Sequence, residues 1–137
     1  MKTQISFRFI YMLLLAVSIL FLTMTETKGN NIYPGEEAYA IAVEKAPAPV
    51  GGLEAIVKKI VYPDMAIKTR TEGKVYVLAF INEEGNVDDV KVVKGIGAGC
   101  DEETIKAVKK TKFTPAEDKG VNVKAKLALA IQFKIPS

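Results

Sequence analysis

The sequence predicts a small α+β domain with two layers, in which helices cover one face of a three-stranded antiparallel sheet of strand order 2-1-3. Three patterns carry this prediction: a helical apolar stripe beginning at Leu53, a strand with two apolar faces at Val75, and an alternating stretch from Val121 to Ile135. With 137 residues, 49% hydrophobic and 26% charged, the chain has the composition of a single globular domain.

Residues 1–29 have the layout of a secretory signal peptide or a short membrane anchor. Lys2 and Arg8 precede an apolar run from Phe9 to Met24, after which the sequence becomes polar. As a helix this run would measure about 24 Å, against a hydrocarbon core of about 30 Å. Its length favours a cleaved signal peptide ending at Gly29, with an inner-membrane anchor at residues 9–24 as the alternative. Either interpretation exports the rest of the chain.

Residues 30–49 are predicted to be a linker and residues 50–137 the domain. The linker carries three prolines and no sustained period. The domain then opens with an amphipathic helix, because Leu53, Ile56, Val57 and Ile60 follow the i, i+3, i+4, i+7 spacing. Proline disfavours a helical conformation in the residue before it, so the Tyr62-Pro63 pair predicts a break and a second short helix. We expect the Tyr62 ring to pack on the sheet.

Two strands follow Gly73, joined by a turn at Gly85. The first strand alternates two apolar sets, one containing Val75, Val77, Ala79 and Ile81 and the other Tyr76, Leu78 and Phe80. A strand that is apolar on both faces is typical of the centre of a sheet. The second strand, residues 87–94, is shorter and charged, which is typical of a protected edge.

The next helix is marked by its charges. Asp101 is predicted as the N-cap, with acidic residues in the first turn and lysines in the later turns, which complements the helix dipole. Cys100 and Ile105 then fall at the positions of a hydrophobic staple, which predicts a buried, structural cysteine. Pro115 ends the element.

The last strand has the clearest pattern in the chain. Its apolar positions recur at every second residue from Val121 to Ile135, which predicts a half-buried antiparallel strand about 50 Å long. The crossover helix returns it to the far side of the first strand. Because the second strand is much too short to cover it, we expect part of its backbone edge to be unpaired and available for binding.

The composition argues against two function classes. From Asn30 onward 16 Lys/Arg oppose 15 Asp/Glu, and no basic stripe with interleaved aromatics remains, so nucleic acid is a poor candidate as a partner. The chain has no histidine and only one cysteine, and no carboxylate pair lies in an apolar setting. A nucleophilic triad or a histidine-ligated metal cannot be assembled from these residues, and we predict neither an enzyme nor a cofactor.

A series of short motifs gives the chain a family resemblance. The motifs are Gly51-Gly52, Tyr62-Pro63, Glu72-Gly73-Lys74-Val75, the Gly85 turn, Asp101-Glu102-Glu103, Phe113-Thr114-Pro115-Ala116 and Ile131-Gln132-Phe133. In this order and spacing, residues 47–135 resemble the C-terminal domain of TonB proteins. The resemblance implies structural roles for Tyr62, Pro63, Gly73, Asp101, Phe113 and Pro115.

The resemblance also implies a location and a partner. It implies the periplasm of a Gram-negative-type bacterium and a domain that binds the TonB box of outer-membrane TonB-dependent receptors by strand addition to the last strand. The peptide-binding edge would then comprise Val123, Lys124, Ala125, Lys126, Leu127, Ala128 and Leu129. Two alternatives are an anchored energy transducer coupled to inner-membrane, proton-driven motor proteins and a module that forms homodimers through the last strand. Full transducers have a long proline-rich spacer, whereas only about 25 residues here, at most about 90 Å, separate the apolar run from the domain.

Overall fold

The computed structural model describes residues 38–136. The apolar run at residues 9–24, the predicted cleavage point and the start of the linker lie outside these residues. Within residues 38–136, no helix is both long enough and apolar enough to cross a membrane.

Three helices and seven strands make up the described part of the chain. In chain order they are β1 (Ala48–Pro49), α1 (Gly52–Val57), α2 (Asp64–Lys68), β2 (Gly73–Ile81), β3 (Val87–Lys94), α3 (Cys100–Lys109), β4 (Phe113–Thr114), β5 (Ala116–Asp118), β6 (Val121–Val123) and β7 (Ala125–Phe133). The main sheet is antiparallel with order β3-β2-β7. This confirms the predicted 2-1-3 order, with the strand that has two apolar faces at the centre.

One face of the main sheet packs on the helices and forms the core. On β2 this face carries Val75, Val77, Ala79 and Ile81, all of which are buried. The residues directly opposite on β7, including Leu129 and Ile131, lie on the same face and are buried too. The other face carries Tyr76, Leu78 and Phe80, of which only Phe80 is buried.

The helices contribute less apolar surface to this core than the sequence pattern suggests. Ile56 of α1 is fully buried, whereas Leu53 and Val57 from the same predicted stripe are about half exposed. α1 has only six residues, so it can turn little more than one residue fully onto the sheet. Tyr62 packs edge-on against Phe133, with ring centroids 5.6 Å apart, and donates a hydrogen bond to the Thr71 carbonyl. The predicted packing of the Tyr62 ring on the sheet is confirmed.

The predicted fifteen-residue last strand is two strands. The chain turns at Lys119 and Gly120, where φ is positive, and β6 pairs back on β5. Only β7 joins the main sheet, and its nine residues pair with all nine residues of β2. The prediction of one strand was wrong because β6 and β7 both alternate apolar and polar residues. This pattern stays the same where the chain changes its partner strand at Lys124.

The start of α3 also differs from the prediction. The N-cap is Gly99, in the left-handed conformation with φ 87°, and Cys100 is the first helical residue. The Asp101 carboxylate instead accepts hydrogen bonds from the backbone N–H groups of Ile96 and Gly97, so it caps the preceding loop. Cys100 has no exposed surface, which confirms its structural burial, and burial raises the pKa of its thiol.

Part of the predicted linker lies against the domain. β1, at residues 48–49, pairs with β4, which contains the buried Phe113. The Phe113 N–H in turn donates to the Gly85 carbonyl across 2.9 Å, which joins β4 to the β2–β3 turn. Pro63 and Gly73 lie immediately before α2 and at the start of β2, and Pro115 separates β4 from β5.

Candidate functional site

The candidate site is the outer edge of β7, on the side away from β2. Within residues 38–136, β7 has no strand partner on this side beyond a single bridge at Ala125. That bridge shows which backbone groups point outward. The Lys124 carbonyl accepts from the Ala40 N–H at 2.8 Å, and the Lys126 N–H donates to the Ala40 carbonyl at 3.0 Å. Because side chains and backbone groups alternate along a strand, Ala128, Ala130 and Gln132 also point their N–H and C=O groups outward.

The beginning of this edge is therefore occupied by the chain itself. We call residues 39–45 the cis segment. Its Ala40 pairs in parallel with Ala125 of β7, as an added strand would. The Tyr39 ring lies edge-on to Phe80 at 5.2 Å, and its hydroxyl donates to Asp88 Oδ2 at 2.5 Å. Tyr39 thus covers part of Phe80, which is buried although Tyr76 on the same face of β2 is exposed.

Cations surround the two aromatic rings of this contact. The Lys124 Nζ lies 5.5 Å from the centre of the Tyr39 ring. The Lys91 and Lys126 Nζ atoms lie 5.3 Å and 5.5 Å from the centre of the Phe80 ring. Burial and the hydrogen bond to the Asp88 carboxylate raise the pKa of Tyr39 to about 12, so its hydroxyl stays protonated at every physiological pH.

The cis segment has a second attachment at its other end. Lys45 and Glu117 exchange both backbone hydrogen bonds, at 3.0 and 3.1 Å, and their side chains form an ion pair at 2.6 Å. The Glu44 carboxylate accepts from the Lys119 N–H. The segment is thus held against both β7 and β5. Exposed ion pairs contribute little, so most of its attachment comes from the backbone bonds and from Tyr39.

The rest of the edge, from Ala128 to Gln132, has no strand partner in the part of the chain that the structure describes, and we call it the open stretch. Ala128 and Ala130 are exposed, and in the register they lie opposite Leu78 and Tyr76 of β2. Tyr76 is 40% exposed. The Gln132 amide folds back to donate to the Gly73 and Phe133 carbonyls. Small side chains at the edge therefore leave an exposed aromatic ring one strand away and a straight run of outward backbone groups.

The predicted edge residues occupy different positions in the structure. Val123 lies in β6, opposite Ala116, and Lys124 lies between β6 and β7. Ala125, Leu127 and Leu129 turn their backbone groups toward β2 and their side chains toward the core. Of the seven predicted residues, only Lys124, Lys126 and Ala128 point their backbone N–H and C=O groups outward. The backbone groups of Lys124 and Lys126 bond to Ala40.

Four participants were missed by the sequence reasoning. Ala130 and Gln132 belong to the same outward series, and the alternation that extends to Ile135 could have included them. Tyr39 and Ala40 lie in the predicted linker, where no periodic signal marks them. In the described part of the chain, no group of three His, Cys, Asp or Glu side chains could hold a metal ion.

Comparison with known proteins identifies the family. The profile described as Gram-negative bacterial TonB protein C-terminal matches residues 58–135, which is more than half of the chain. A search of curated proteins gave no match. Among solved structures, the TonB C-terminal domain of Helicobacter pylori (residues 194–285) is 30% identical, with coverage of 59% of this chain and 86% of that chain and a TM-score of 0.48.

The corresponding values for the Pseudomonas aeruginosa TonB C-terminal domain are 34% identity, coverage of 57% of this chain and 80% of that chain, and a TM-score of 0.47. The family is not a known enzyme family; its members serve TonB-dependent transport in the Gram-negative envelope, where they interact with outer-membrane TonB-dependent receptors. The match over residues 58–135 places this chain in the TonB C-terminal domain family.

Proposed function

We propose that this domain binds an extended segment of an outer-membrane TonB-dependent receptor, the TonB box, as an added strand on the outer edge of β7. One observation carries the proposal: outward backbone groups at Ala128, Ala130 and Gln132 have no strand partner among the described residues. Such an edge is a template for pairing with a second chain.

The chemistry of the open stretch suits a peptide ligand. In strand addition, main-chain hydrogen bonds give most of the affinity and alternate side chains give specificity. Ala128 and Ala130 are small enough to let another backbone approach closely. Beyond Ala130 the exposed Tyr76 ring offers an apolar contact to one side chain of the added strand.

Proline substitution at the outward positions tests the proposal. Ala130→Pro removes one outward N–H, and because that group does not pair with β2, the full-length chain should stay folded while losing affinity for a synthetic TonB-box peptide. Ala130→Val is the matched control, because it changes the side chain and keeps the N–H. Isothermal titration of both variants gives the comparison. Normal binding by folded Ala128→Pro and Ala130→Pro variants would contradict the proposal, as would a wild type that does not bind at high micromolar peptide.

We further propose that the domain works in the periplasm after export and cleavage of residues 1–29. The layout of the first 29 residues supports this location. N-terminal sequencing of the protein from cells, together with carbonate extraction of membranes, tests it. A full-length chain that resists extraction would favour the alternative, an inner-membrane energy transducer held by residues 9–24 and coupled to motor proteins.

Homodimerisation through β7 is the second candidate function, because it would use the same unpaired edge. A dimer would cover the groups that a peptide needs, so the two functions compete. Sedimentation of the full-length chain with and without the peptide separates them. A dimer that persists at saturating peptide would favour the structural role, and a monomer that binds the peptide would favour the receptor-binding role.

A further inference from the structure

The cis segment does to β7 what a bound peptide would do. Ala40 satisfies the outward Lys124 carbonyl and the outward Lys126 N–H with two hydrogen bonds of 2.8 and 3.0 Å, and its pairing is parallel. These are the outward groups immediately before the open stretch that begins at Ala128. The edge therefore has two parts in direct sequence, one occupied from within the chain and one open.

The occupied part is held by contacts that can be separated from the core. Tyr39 contributes its ring contact with Phe80 and its hydrogen bond to Asp88, both at the surface of the sheet. Beyond Ala40 the chain passes through Ile41, which is 83% exposed, and is attached again at Glu44 and Lys45. Releasing Tyr39 and Ala40 would therefore uncover two more outward groups while leaving the second attachment in place.

The open stretch limits how much peptide can pair without such release. Residues 127–133 of β7 span roughly 20 Å at about 3.3 Å per residue, which is enough for a strand of about five residues with well-formed bonds. An added strand that continues past Ala128 toward Lys126 meets Ala40 in the same plane of hydrogen bonds. Both strands cannot use the Lys126 N–H, because it can donate fully to only one carbonyl.

Resting on the proposed function, we propose that the cis segment is a specificity determinant of this edge. Tyr39 and Ala40 set the register of the bound peptide and restrict its pairing to the Ala128–Gln132 stretch. A short extended peptide binds beside the cis segment without disturbing it. A longer extended peptide gains further pairing only by displacing Tyr39 and Ala40, and that displacement lowers its net affinity.

Two peptides and two variants of the full-length chain test this inference. The probes are a five-residue TonB-box peptide and a nine-residue peptide with two further residues at each end, so that either strand direction is covered. In a variant with Tyr39→Ala and Ala40→Pro, the Ala40 N–H is lost and the ring contact is removed. The affinity for the nine-residue peptide should rise about tenfold, as expected when the hydrogen bonds from the Ala40 N–H to Lys124 and from the Tyr39 hydroxyl to Asp88 are lost, and the affinity for the five-residue peptide should not change.

A single variant and a control keep the test independent of folding. Tyr39→Phe, which keeps the ring and loses the bond to Asp88, should give a smaller gain, about twofold, for the longer peptide only. Ile41→Ala lies in the same segment at an exposed position and should change neither affinity. In the wild type, the longer peptide should shift the Tyr39 ring resonances and the shorter one should not.

The possible results separate this inference from the proposed function. Equal affinity of wild type and variants for the longer peptide, or an equal gain for both peptides, would overturn the inference and leave peptide binding intact. A loss of affinity in the variants would also overturn it, because Tyr39 would then be part of the peptide site. If no protein binds either peptide, the proposed function and the inference both fail.

Discussion

The two edges of the main sheet are built differently. β3 pairs with β2 through two register shifts, between Tyr76 and Val77 and between Phe80 and Ile81, and the strand carries four charged side chains. β7 pairs with β2 residue by residue without interruption and presents alanines at two of its outward positions. Irregular, charged edges resist pairing with other chains, whereas regular edges with small side chains permit it. The comparison shows that β3 has the features of a protected edge, whereas β7 is regular and, among residues 38–136, has no strand partner from Ala128 to Gln132.

The largest expected effect concerns the turn that leads into the protected edge. A methyl group on Gly85 would lie 2.0 Å from the Phe113 carbonyl oxygen, and φ at this position is +81°. Gly85→Ala should therefore destabilise the domain by roughly 3 kcal/mol, which urea unfolding would measure. Gly120, in the turn before β6, has φ +77° but nothing within 4 Å of the added methyl. Gly120→Ala should cost only about 1 kcal/mol, and equal losses would contradict the role of the Phe113 contact.

Next in size is the core that supports both edges. Cys100 is fully buried under the sheet, so Cys100→Ala should cost roughly 1–2 kcal/mol through the cavity it leaves, while Cys100→Val should be tolerated. Its thiol, with a pKa raised by burial, should react slowly with thiol reagents in the native protein and quickly in denaturant. Edge variants such as Ala130→Pro should keep this slow reaction. Fast labelling of the native wild type would show that Cys100 is not buried.

A smaller effect distinguishes the side chains of the two edges. Tyr76→Ala should weaken binding of the TonB-box peptide about fivefold, because it removes an aromatic contact beside the open stretch. Val93 on β3 is 70% exposed, and Val93→Ala should leave binding unchanged. Titration calorimetry of the two variants against the same peptide measures both effects. Equal losses would mean that the peptide does not distinguish the edges as proposed.

The smallest effect appears only in alkaline solution and concerns the occupied end of β7. Burial and Asp88 raise the pKa of Tyr39 from 10 to about 12, so the folded state disfavours the tyrosinate. The stability that this contact adds is complete below pH 10 and is lost as pH rises toward 12. Tyr39→Phe should remove the tyrosinate absorbance that appears at 295 nm near pH 12 and flatten this loss of stability. A wild type in which no tyrosinate absorbance appears as late as pH 12 would contradict the contact.

The sequence was sufficient to predict the elements that have a periodic or strongly charged residue pattern. Alternation with two apolar faces identified β2 as the central strand, and the charges on β3 marked it as an edge. The Tyr62 packing and the burial of Cys100 were also predicted correctly. Each of these features is local or depends on burial, and a single sequence records both directly.

The features that shape the candidate site depend on tertiary contacts, and such contacts are only weakly visible in the sequence. The break at Lys124 was missed because β6 and β7 continue the same alternation while they change partners. Aspartate is a common N-cap residue, but the helix begins earlier than predicted, after Gly99, which has a positive φ. The Asp101 carboxylate therefore accepts hydrogen bonds from the preceding loop. Tyr39 and Ala40 contact residues more than forty positions away in the chain, and such long-range contacts leave no periodic pattern in the sequence.

The path by which the chain enters the domain also determines how the domain would respond to mechanical load. Tension applied through residue 38 reaches Tyr39 and Ala40 first, where two backbone hydrogen bonds, the Tyr39–Asp88 hydrogen bond and the Tyr39–Phe80 ring contact resist it. The load next meets the paired backbone of Lys45 and Glu117, and then β1. The main sheet, with β2 bonded along its full length to β7, would be loaded last. Force on the N-terminal side would thus peel the cis segment from β7 before it strained the core.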